Sequence, residues 1–225
     1  MKNLLIILGV SLSLCFVTAD NGGNCKLEMY AGPSEWKDMV NSCTALVKGQ
    51  IQLEITAAMH YLAMGTHFSR DVINRPGFAD FFFKAASEER QHAIKLIEYL
   101  LMRGELTQDF DKLIQLSEIK VAVNQNTLTP IDALKEALKL ETKVTNSIKR
   151  MMDACEEPKT PEDKDKNDYH FVDYLTTEFL DEQYKGQRDL AGKVSTLGKM
   201  IKKMSGQNGV LAEFLFDKKL LNGEI

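Results

Sequence analysis

Four long segments of this chain repeat apolar residues at helical spacing, and each apolar stripe has a metal-binding type of side chain near its centre. When successive residues are rotated by about 100°, the stripes centre on Glu54, Glu89, Glu141 and Gln183. The stripe around Glu54 contains Trp36, Val40, Cys43, Val47, Ala58, Tyr61, Gly65 and Phe68. The stripe around Gln183 contains Val172, Phe179, Leu190, Val194, Leu197 and Ile201.

These stripes predict helices over about residues 35–69, 77–103, 130–155 and 168–203, followed by a short fifth helix over 210–220. Arg75-Pro76-Gly77 separates the first two helices, and Gly104 is expected to cap the second. Thr129 and Pro130 are typical of the N-cap and first position of a helix.

The connection over residues 105–128 is too long for a tight turn and carries no sustained apolar stripe. In a four-helix bundle such a segment crosses the length of the bundle between the second and third helices. We therefore expect an all-α fold, a four-helix bundle with one long crossover and a short fifth helix. A net charge of −4 disfavours a nucleic-acid surface, and no segment after the N-terminus is apolar enough to span a membrane.

The buried polar residues indicate a bound cation. Burying an ionised carboxylate without a partner is costly, and the stripes contain no Lys or Arg to neutralise Glu54, Glu89 and Glu141. Glu89 and His92 are three residues apart, so they share one helix face, and Tyr61 lies near the face of Glu54. Carboxylates with one imidazole and no thiolate suit iron or manganese and tolerate zinc.

The pattern contains only one Glu-x-x-His. The matching positions of the fourth helix read Gln183-Tyr184-Lys185-Gly186, which supply neither a carboxylate nor an imidazole for a second metal ion. We expect this second position to bind metal more weakly than the first. A weak second position suits iron that passes through the site.

The N-terminus has the features of a secretory signal peptide over residues 1–19. One Lys precedes an apolar run from Leu4 to Val17, and Val17-Thr18-Ala19 fits a cleavage site. A buried first helix is the alternative. Removal of the signal leaves an arm over residues 20–34 and a predicted domain over 35–225, in a chain that we expect to enter the secretory pathway.

Three cysteines remain after cleavage, namely Cys25, Cys43 and Cys155. An oxidising compartment disfavours a free thiol, so an odd number favours one bridge within the chain and one to another chain. Three buried or capped thiols are the alternative.

Several motifs resemble those of ferritins of the heavy-chain type, most closely the secreted insect subunits. The resemblance extends from about Trp36 to Leu220. Its motifs are Gln52-Leu53-Glu54, Tyr61-Leu62-Ala63-Met64, Glu88-Glu89-Arg90-Gln91-His92-Ala93, Leu140-Glu141, Asp181-Glu182-Gln183 and Leu211-Ala212-Glu213-Phe214-Leu215-Phe216-Asp217-Lys218.

The resemblance implies a hollow shell of two dozen subunits that oxidises Fe(II) with O2 and stores the ferric mineral. It implies two iron ions per subunit, with Glu54, Glu89 and His92 on the first. Glu89 would bridge to a second iron that Glu141 contacts. Tyr61 and Gln183 would line the site, with Gln183 near the second metal.

The resemblance also implies roles outside this centre. Glu88 would relay iron inward, and Asp173 would line a channel through the shell. Two departures are expected to matter: Gln91 and Ile94 stand where many heavy chains have acidic residues that nucleate mineral, and Thr176 replaces an acidic residue of the channel. Nucleation would then depend on a partner subunit, and the channel would attract cations less strongly.

Two other functions fit parts of the pattern. A catalytically silent, structural shell subunit would not need the full set of six site residues. A secreted di-iron oxygenase would need a substrate pocket beside the metal ions, and the missing second Glu-x-x-His disfavours it.

Cys43 and Cys155 are expected to form the bridge within the chain. In a bundle with a crossover before the third helix, the start of the first helix and the end of the third lie at the same end. Their Cα atoms should then be about 4.4–6.8 Å apart.

Cys25 is expected to form a disulfide with another subunit, most plausibly a light-type ferritin chain. It lies in a Gly- and Asn-rich arm that can reach a neighbour. Non-reducing electrophoresis of the native protein should show a heterodimer band, which Cys25→Ser should remove. Persistence of the band in that variant would contradict the assignment.

Overall fold

The chain folds as a helical bundle in a computed structural model that describes residues 33, 35–105, 112–121, 127–157, 161, 167–204 and 209–225. The predicted signal peptide over 1–19 and Cys25 lie outside these residues. Residues Glu35–Ile225 form one compact unit. Its helices are α1 (Asn41–Ser69), α2 (Pro76–Met102), a short 3₁₀ turn (Leu116–Glu118), α3 (Pro130–Glu156), α4 (Tyr169–Leu175), a π-helical turn (Thr176–Leu180), α5 (Asp181–Lys203) and α6 (Gly209–Leu221).

The connection between α2 and α3 is the predicted crossover. Its described residues follow α1 along its length. The Gln115 amide N donates to Gln52 Oε1 at 2.8 Å, and His60 Nε2 is 3.0 Å from the Lys120 carbonyl. Further along, His67 Nε2 is 3.1 Å from the Leu128 carbonyl. The crossover therefore returns the chain to the far end of α1, where α3 begins antiparallel to it.

Two helix ends follow their predicted capping chemistry. The Thr129 side chain accepts from the Asp132 amide with Pro130 at the first position of α3, and Gly104 adopts a positive φ of 74° after α2. The aromatic ring of Trp36 lies where a Cβ on Gly104 would be, which is a second reason for glycine at this position.

The predicted start of the first helix at residue 35 is wrong, because α1 begins at Asn41. The preceding segment instead lies against the end of α2. Asp38 Oδ1 accepts from Arg103 Nη2 at 2.7 Å, and Trp36 contacts Gly104. These tertiary contacts hold residues 35–40 outside the helix although their apolar spacing continues its stripe.

The π-helical turn divides the fourth predicted helix. It changes which residues of that helix face the core near the helix start. Phe171 and Leu175 are fully buried where the sequence pattern placed Val172. Phe171, Leu175, Phe179 and Gln183 follow one another at intervals of four, and each interval drifts by about 40° on a regular α-helix. The wider π turn absorbs this drift and keeps all four facing the core.

The core consists of two apolar clusters separated by a polar layer. Along α1, Ile51 belongs to one cluster and Tyr61 to the other, with Glu54 between them. The same alternation places Glu89 between Ala86 and Ala93 on α2. The polar layer therefore crosses the middle of the bundle. Within the described residues, no helix is long and apolar enough to cross a membrane.

A disulfide and an ion-pair network hold one end of the bundle. Cys43 and Cys155 are bonded with their Cα atoms 5.0 Å apart, the pair that the sequence analysis predicted. The bridge closes a loop across 112 sequence positions and is worth roughly 2–4 kcal/mol. Beside it, Arg103 Nη1 donates to Asp168 Oδ1 at 2.9 Å, and the Asp168 amide donates to the Cys155 carbonyl.

The last helix caps the second one. Asp217 on α6 is fully buried, and its Oδ1 accepts from the amides of Gly77 and Phe78 at 2.8 and 3.1 Å. A Cβ on Gly77 would come within 2.0 Å of the Asp217 carbonyl oxygen, so only glycine permits this approach. The start of α2 thus depends on a side chain from the C-terminal helix.

Replacing Asp217 with Ala should lower the stability by about 1–3 kcal/mol, because two buried amides lose their acceptor. Asp217→Asn should cost less, since its amide oxygen can still accept. The melting temperature of the purified protein is the measurement. Asp71→Ala is the matched control, because Asp71 is exposed and accepts from the amide of its exposed neighbour Val72. Equal melting temperatures for the two Ala variants would contradict this role for Asp217.

Candidate metal centre

Glu54, Glu89 and His92 meet in the polar layer of the bundle. Each offers one ligand atom, and these atoms all lie within 4.8 Å of one another. Glu54 is fully buried, Glu89 is 3% exposed and His92 is 5% exposed. Glu89 and His92 come from consecutive turns of α2, and Glu54 approaches from the centre of α1.

Each of these three residues has one buried atom with no hydrogen-bond partner among the described residues. These atoms are Glu54 Oε2, Glu89 Oε2 and His92 Nδ1. Burial, and next the nearby charge of Glu89, raises the pKa of Glu54 well above its ordinary value. Burial, together with the charge of Glu141, raises the pKa of Glu89 to about 8. Without a cation, both carboxyl groups are therefore hard to ionise, and a cation would satisfy them.

Tyr61 and Glu141 line the same cavity as Glu89 and His92. The Tyr61 hydroxyl donates a short hydrogen bond to Glu141 Oε1. Burial, and next the charge of Glu141, raises the Tyr61 pKa well above its ordinary value, so the phenol keeps its proton. Tyr61 thereby fixes one Glu141 oxygen.

Gln183 lines the same cavity, but its oxygen is bonded to a neighbour. The Thr145 hydroxyl donates to Gln183 Oε1 at 2.7 Å and accepts from Gln187 Nε2 at 2.6 Å. The cavity has a volume of about 200 Å³ and is also lined by Tyr61, Glu88, Glu89, His92, Glu141 and Glu182. Five of the six predicted site residues therefore line this cavity, and the sixth, Glu54, meets Glu89 and His92 in the three-ligand cluster.

Gly186 also lines this cavity, three residues after Gln183. It occupies the place of the missing second histidine, while the Lys185 side chain is exposed and pairs with Asp181. This arrangement supplies no imidazole at the second position.

Three polar residues near the site were not predicted from the sequence. Gln50 Nε2 donates to Glu54 Oε1 at 2.7 Å, Thr145 contacts Gln183, and Glu182 Oε2 lies 3.4 Å from His92 Nε2. Gln50 is one turn before Glu54 and Thr145 is one turn after Glu141, so helical spacing could have identified both. Glu182 had no such signal, because its approach depends on how α5 packs against α2.

The remaining predicted residues lie outside the three-ligand cluster. Glu88 is exposed and lines the cavity, and Asp173 is exposed on α4. Their roles in iron relay and in a channel stay predictions.

The sequence matches a known family over residues 44–200, the ferritin-like domain of ferritins. This chain belongs to the ferritin family. It is therefore an iron-storage protein of that family, and the described bundle is the ferritin-like fold that the motifs implied. The family also accounts for the cluster, since a site of two carboxylates and an imidazole suits iron.

Relatives of known identity resemble this ferritin along its whole length. It is 52% identical to a ferritin heavy chain of Papilio xuthus and 48% identical to one of Trichoplusia ni, with all of both chains covered in each case. The crystal structure of Trichoplusia ni secreted ferritin superposes with a TM-score of 0.78 at 51% identity. That comparison covers 88% of this chain and 98% of the other.

The raised carboxyl pKa values predict a pH-dependent stability in the metal-free protein. A folded-state pKa above the ordinary value of 4.5 adds stability that is complete below about pH 4.5 and is lost as pH rises through the folded pKa. The metal-free melting temperature should therefore fall between about pH 5 and pH 8.

Two controls separate this effect from other titrations. Glu89→Gln should flatten the pH dependence, and Zn(II), which binds the ionised carboxylates, should raise the melting temperature most at pH 8. The melting temperatures of the metal-free unmodified protein and of metal-free Glu89→Gln are compared from pH 5 to pH 8. If both rise by the same amount, the predicted cost of ionising the buried carboxyl groups is contradicted.

Proposed function

We propose that this ferritin oxidises Fe(II) to Fe(III) with O2 at a two-iron site and stores the ferric product in an oligomeric shell. The observation that supports this most directly is the set of unpartnered buried atoms on Glu54, Glu89 and His92. Three buried atoms that have no hydrogen-bond partner in the described part of the chain, on residues that cluster together, suit a cation, and iron here is the substrate rather than a permanent cofactor.

Glu54, Glu89 and His92 would bind the first Fe(II), with Glu89 bridging to a second. The second Fe(II) would lie between Glu89 and Glu141, in the cavity that Tyr61 and Gln183 also line. Tyr61 holds one Glu141 oxygen, which leaves the other for metal. Because no second imidazole is present, this second Fe(II) would be held more weakly and would leave readily as Fe(III).

Two neighbouring Fe(II) ions allow O2 to be reduced without releasing superoxide. Each Fe(II) gives up one electron, and O2 takes both electrons and two protons to form hydrogen peroxide. Each Fe(III) then moves to the mineral. The protein's contribution is to fix the spacing of the two ions through Glu89 and to supply negative charge that favours Fe(III) over Fe(II).

The cavity size argues against an oxygenase that acts on an organic substrate. Its volume of about 200 Å³ lies below the roughly 300–1,000 Å³ of typical small-molecule sites. Dioxygen and water fit such a space. The presence of all six predicted site residues likewise argues against a catalytically silent shell subunit.

Secretion and a light-type partner are parts of the same proposal. The similarity to a secreted ferritin and the signal-like residues 1–19 support passage through the secretory pathway. Cys25 would then link this subunit to a light-type chain, and that chain would help nucleate the mineral because Gln91 and Ile94 carry no negative charge.

Replacing Glu89 with Lys and His92 with Gly should abolish rapid Fe(II) oxidation while the shell still forms. The Lys ammonium can occupy the cation position between Glu54 and Glu141, so the buried charges stay balanced. Stopped-flow absorbance at low iron loading measures the rate of Fe(II) oxidation. We expect this rate to fall by more than the roughly 10–100-fold that is typical when a residue supporting a metal ligand is removed.

Glu136→Lys provides the matched control for this variant. Glu136 is exposed on α3 and pairs with Lys139, so the same charge reversal occurs away from the cluster. It should leave the oxidation rate unchanged. If the double variant oxidises the first few irons per subunit as fast as the unmodified protein, the active site lies elsewhere.

A further inference from the structure

The two ring nitrogens of His92 face different surroundings. Nδ1 lies 3.8 Å from Glu89 Oε2 and has no hydrogen-bond partner among the residues described, whereas Nε2 lies 3.4 Å from Glu182 Oε2. A neutral imidazole has one nitrogen with a proton and one with a free lone pair. For Nδ1 to bind metal beside Glu89, the proton must be on Nε2, where Glu182 is placed to accept it.

The face of the His92 ring packs against Phe179, three residues before Glu182 in the chain. The Phe179 ring packs at 5.5 Å between centroids, tilted by 51°. Phe179 is itself covered by Lys95, whose Nζ is 5.8 Å from the ring centre and 3.3 Å from Glu178 Oε2. Phe179 therefore limits tilting of the imidazole, but it cannot select which nitrogen carries the proton.

The π-helical turn provides the backbone setting for both contacts. Thr176–Leu180 contains Phe179 and ends just before α5, where Glu182 follows. Such turns occur frequently at functional sites, because the extra residue changes which side chains face the core. Here Phe179 and Gln183 both face the core, and Glu182 between them reaches the edge of His92.

We propose that Glu182 is a positioning residue of the iron site: its carboxylate accepts the Nε2 proton of His92 and holds Nδ1 toward Glu54 and Glu89. A carboxylate in this relation to a metal-binding histidine fixes its tautomer and raises its basicity. The inference rests on the proposed function, because it takes His92 Nδ1 as a metal ligand. The Glu182 side chain is 54% exposed, so its replacement removes little core packing.

Equilibrium binding of Co(II) to the full-length secreted protein tests this without oxidation chemistry. Co(II) replaces Fe(II) in the absence of O2, and about 1 M salt reduces the screening length to roughly 3 Å, which suppresses general attraction by surface charge. The visible Co(II) spectrum reports imidazole coordination, and titration gives the affinity.

Glu182→Ala should weaken Co(II) binding by about 10–100-fold and reduce the imidazole-dependent absorbance. Glu182→Gln should fall between Ala and the unmodified protein, because its amide oxygen still accepts from Nε2. Asp181→Ala and Asp181→Asn are the matched controls and should bind Co(II) normally. They remove the same charge from the neighbouring position, where the exposed Asp181 side chain pairs with Lys185.

Two results would overturn the role of Glu182. One is an unchanged Co(II) affinity in Glu182→Ala. The other is an equal loss in Glu182→Ala and Glu182→Gln, which would mean that only the charge matters.

His92→Ala separates this inference from the proposed function. If His92→Ala weakens Co(II) binding and Glu182→Ala does not, the site stands and the role of Glu182 is wrong. If His92→Ala binds Co(II) as the unmodified protein does, His92 is not a ligand and both proposals fail.

Discussion

The balance between buried carboxylates and a cation governs the centre of this bundle. Glu54 and Glu89 lie where the two apolar clusters meet, and the cost of ionising them there is large. If packing alone determined the stability of the bundle, Leu would be more favourable than Glu at positions 54 and 89. The two glutamates are explained if a bound cation supplies the positive charge that balances them. The apolar clusters on either side then hold the helices that carry the ligands at a fixed distance.

The ligand residues are held by polar contacts of their own. Gln50 supports Glu54, Tyr61 supports Glu141 and Thr145 contacts Gln183. Each contact restricts a side chain that would otherwise turn freely, so binding an ion costs less ordering. With one carboxylate oxygen of Glu54 and one of Glu141 held by these contacts, the other oxygen of each is left for a metal ion.

Helical periodicity was enough to predict which residues meet at the centre, because Glu54, Glu89, Glu141 and Gln183 each lie in the middle of a strong apolar stripe. The same rule was insufficient where a tertiary contact outweighs local pattern. Residues 35–40 continue the stripe of α1, but Asp38 among them pairs with Arg103 at the end of α2, and the π turn places Phe171 rather than Val172 in the buried core. The approach of Glu182 to His92 depends on the packing of two helices that are distant in sequence, and a single chain's periodicity contains no information on it.

The cap that Asp217 places on α2 has a consequence for synthesis. Asp217 follows Gly77 by 140 positions, so the amides at the start of α2 have only water as an acceptor until α6 has been synthesised. A nascent or truncated chain can form the α1–α2 hairpin, but it keeps a frayed, water-exposed end beside Phe78. A chain that lacks α6 therefore cannot close this end, and it keeps an apolar surface of the kind that chaperones and proteases recognise.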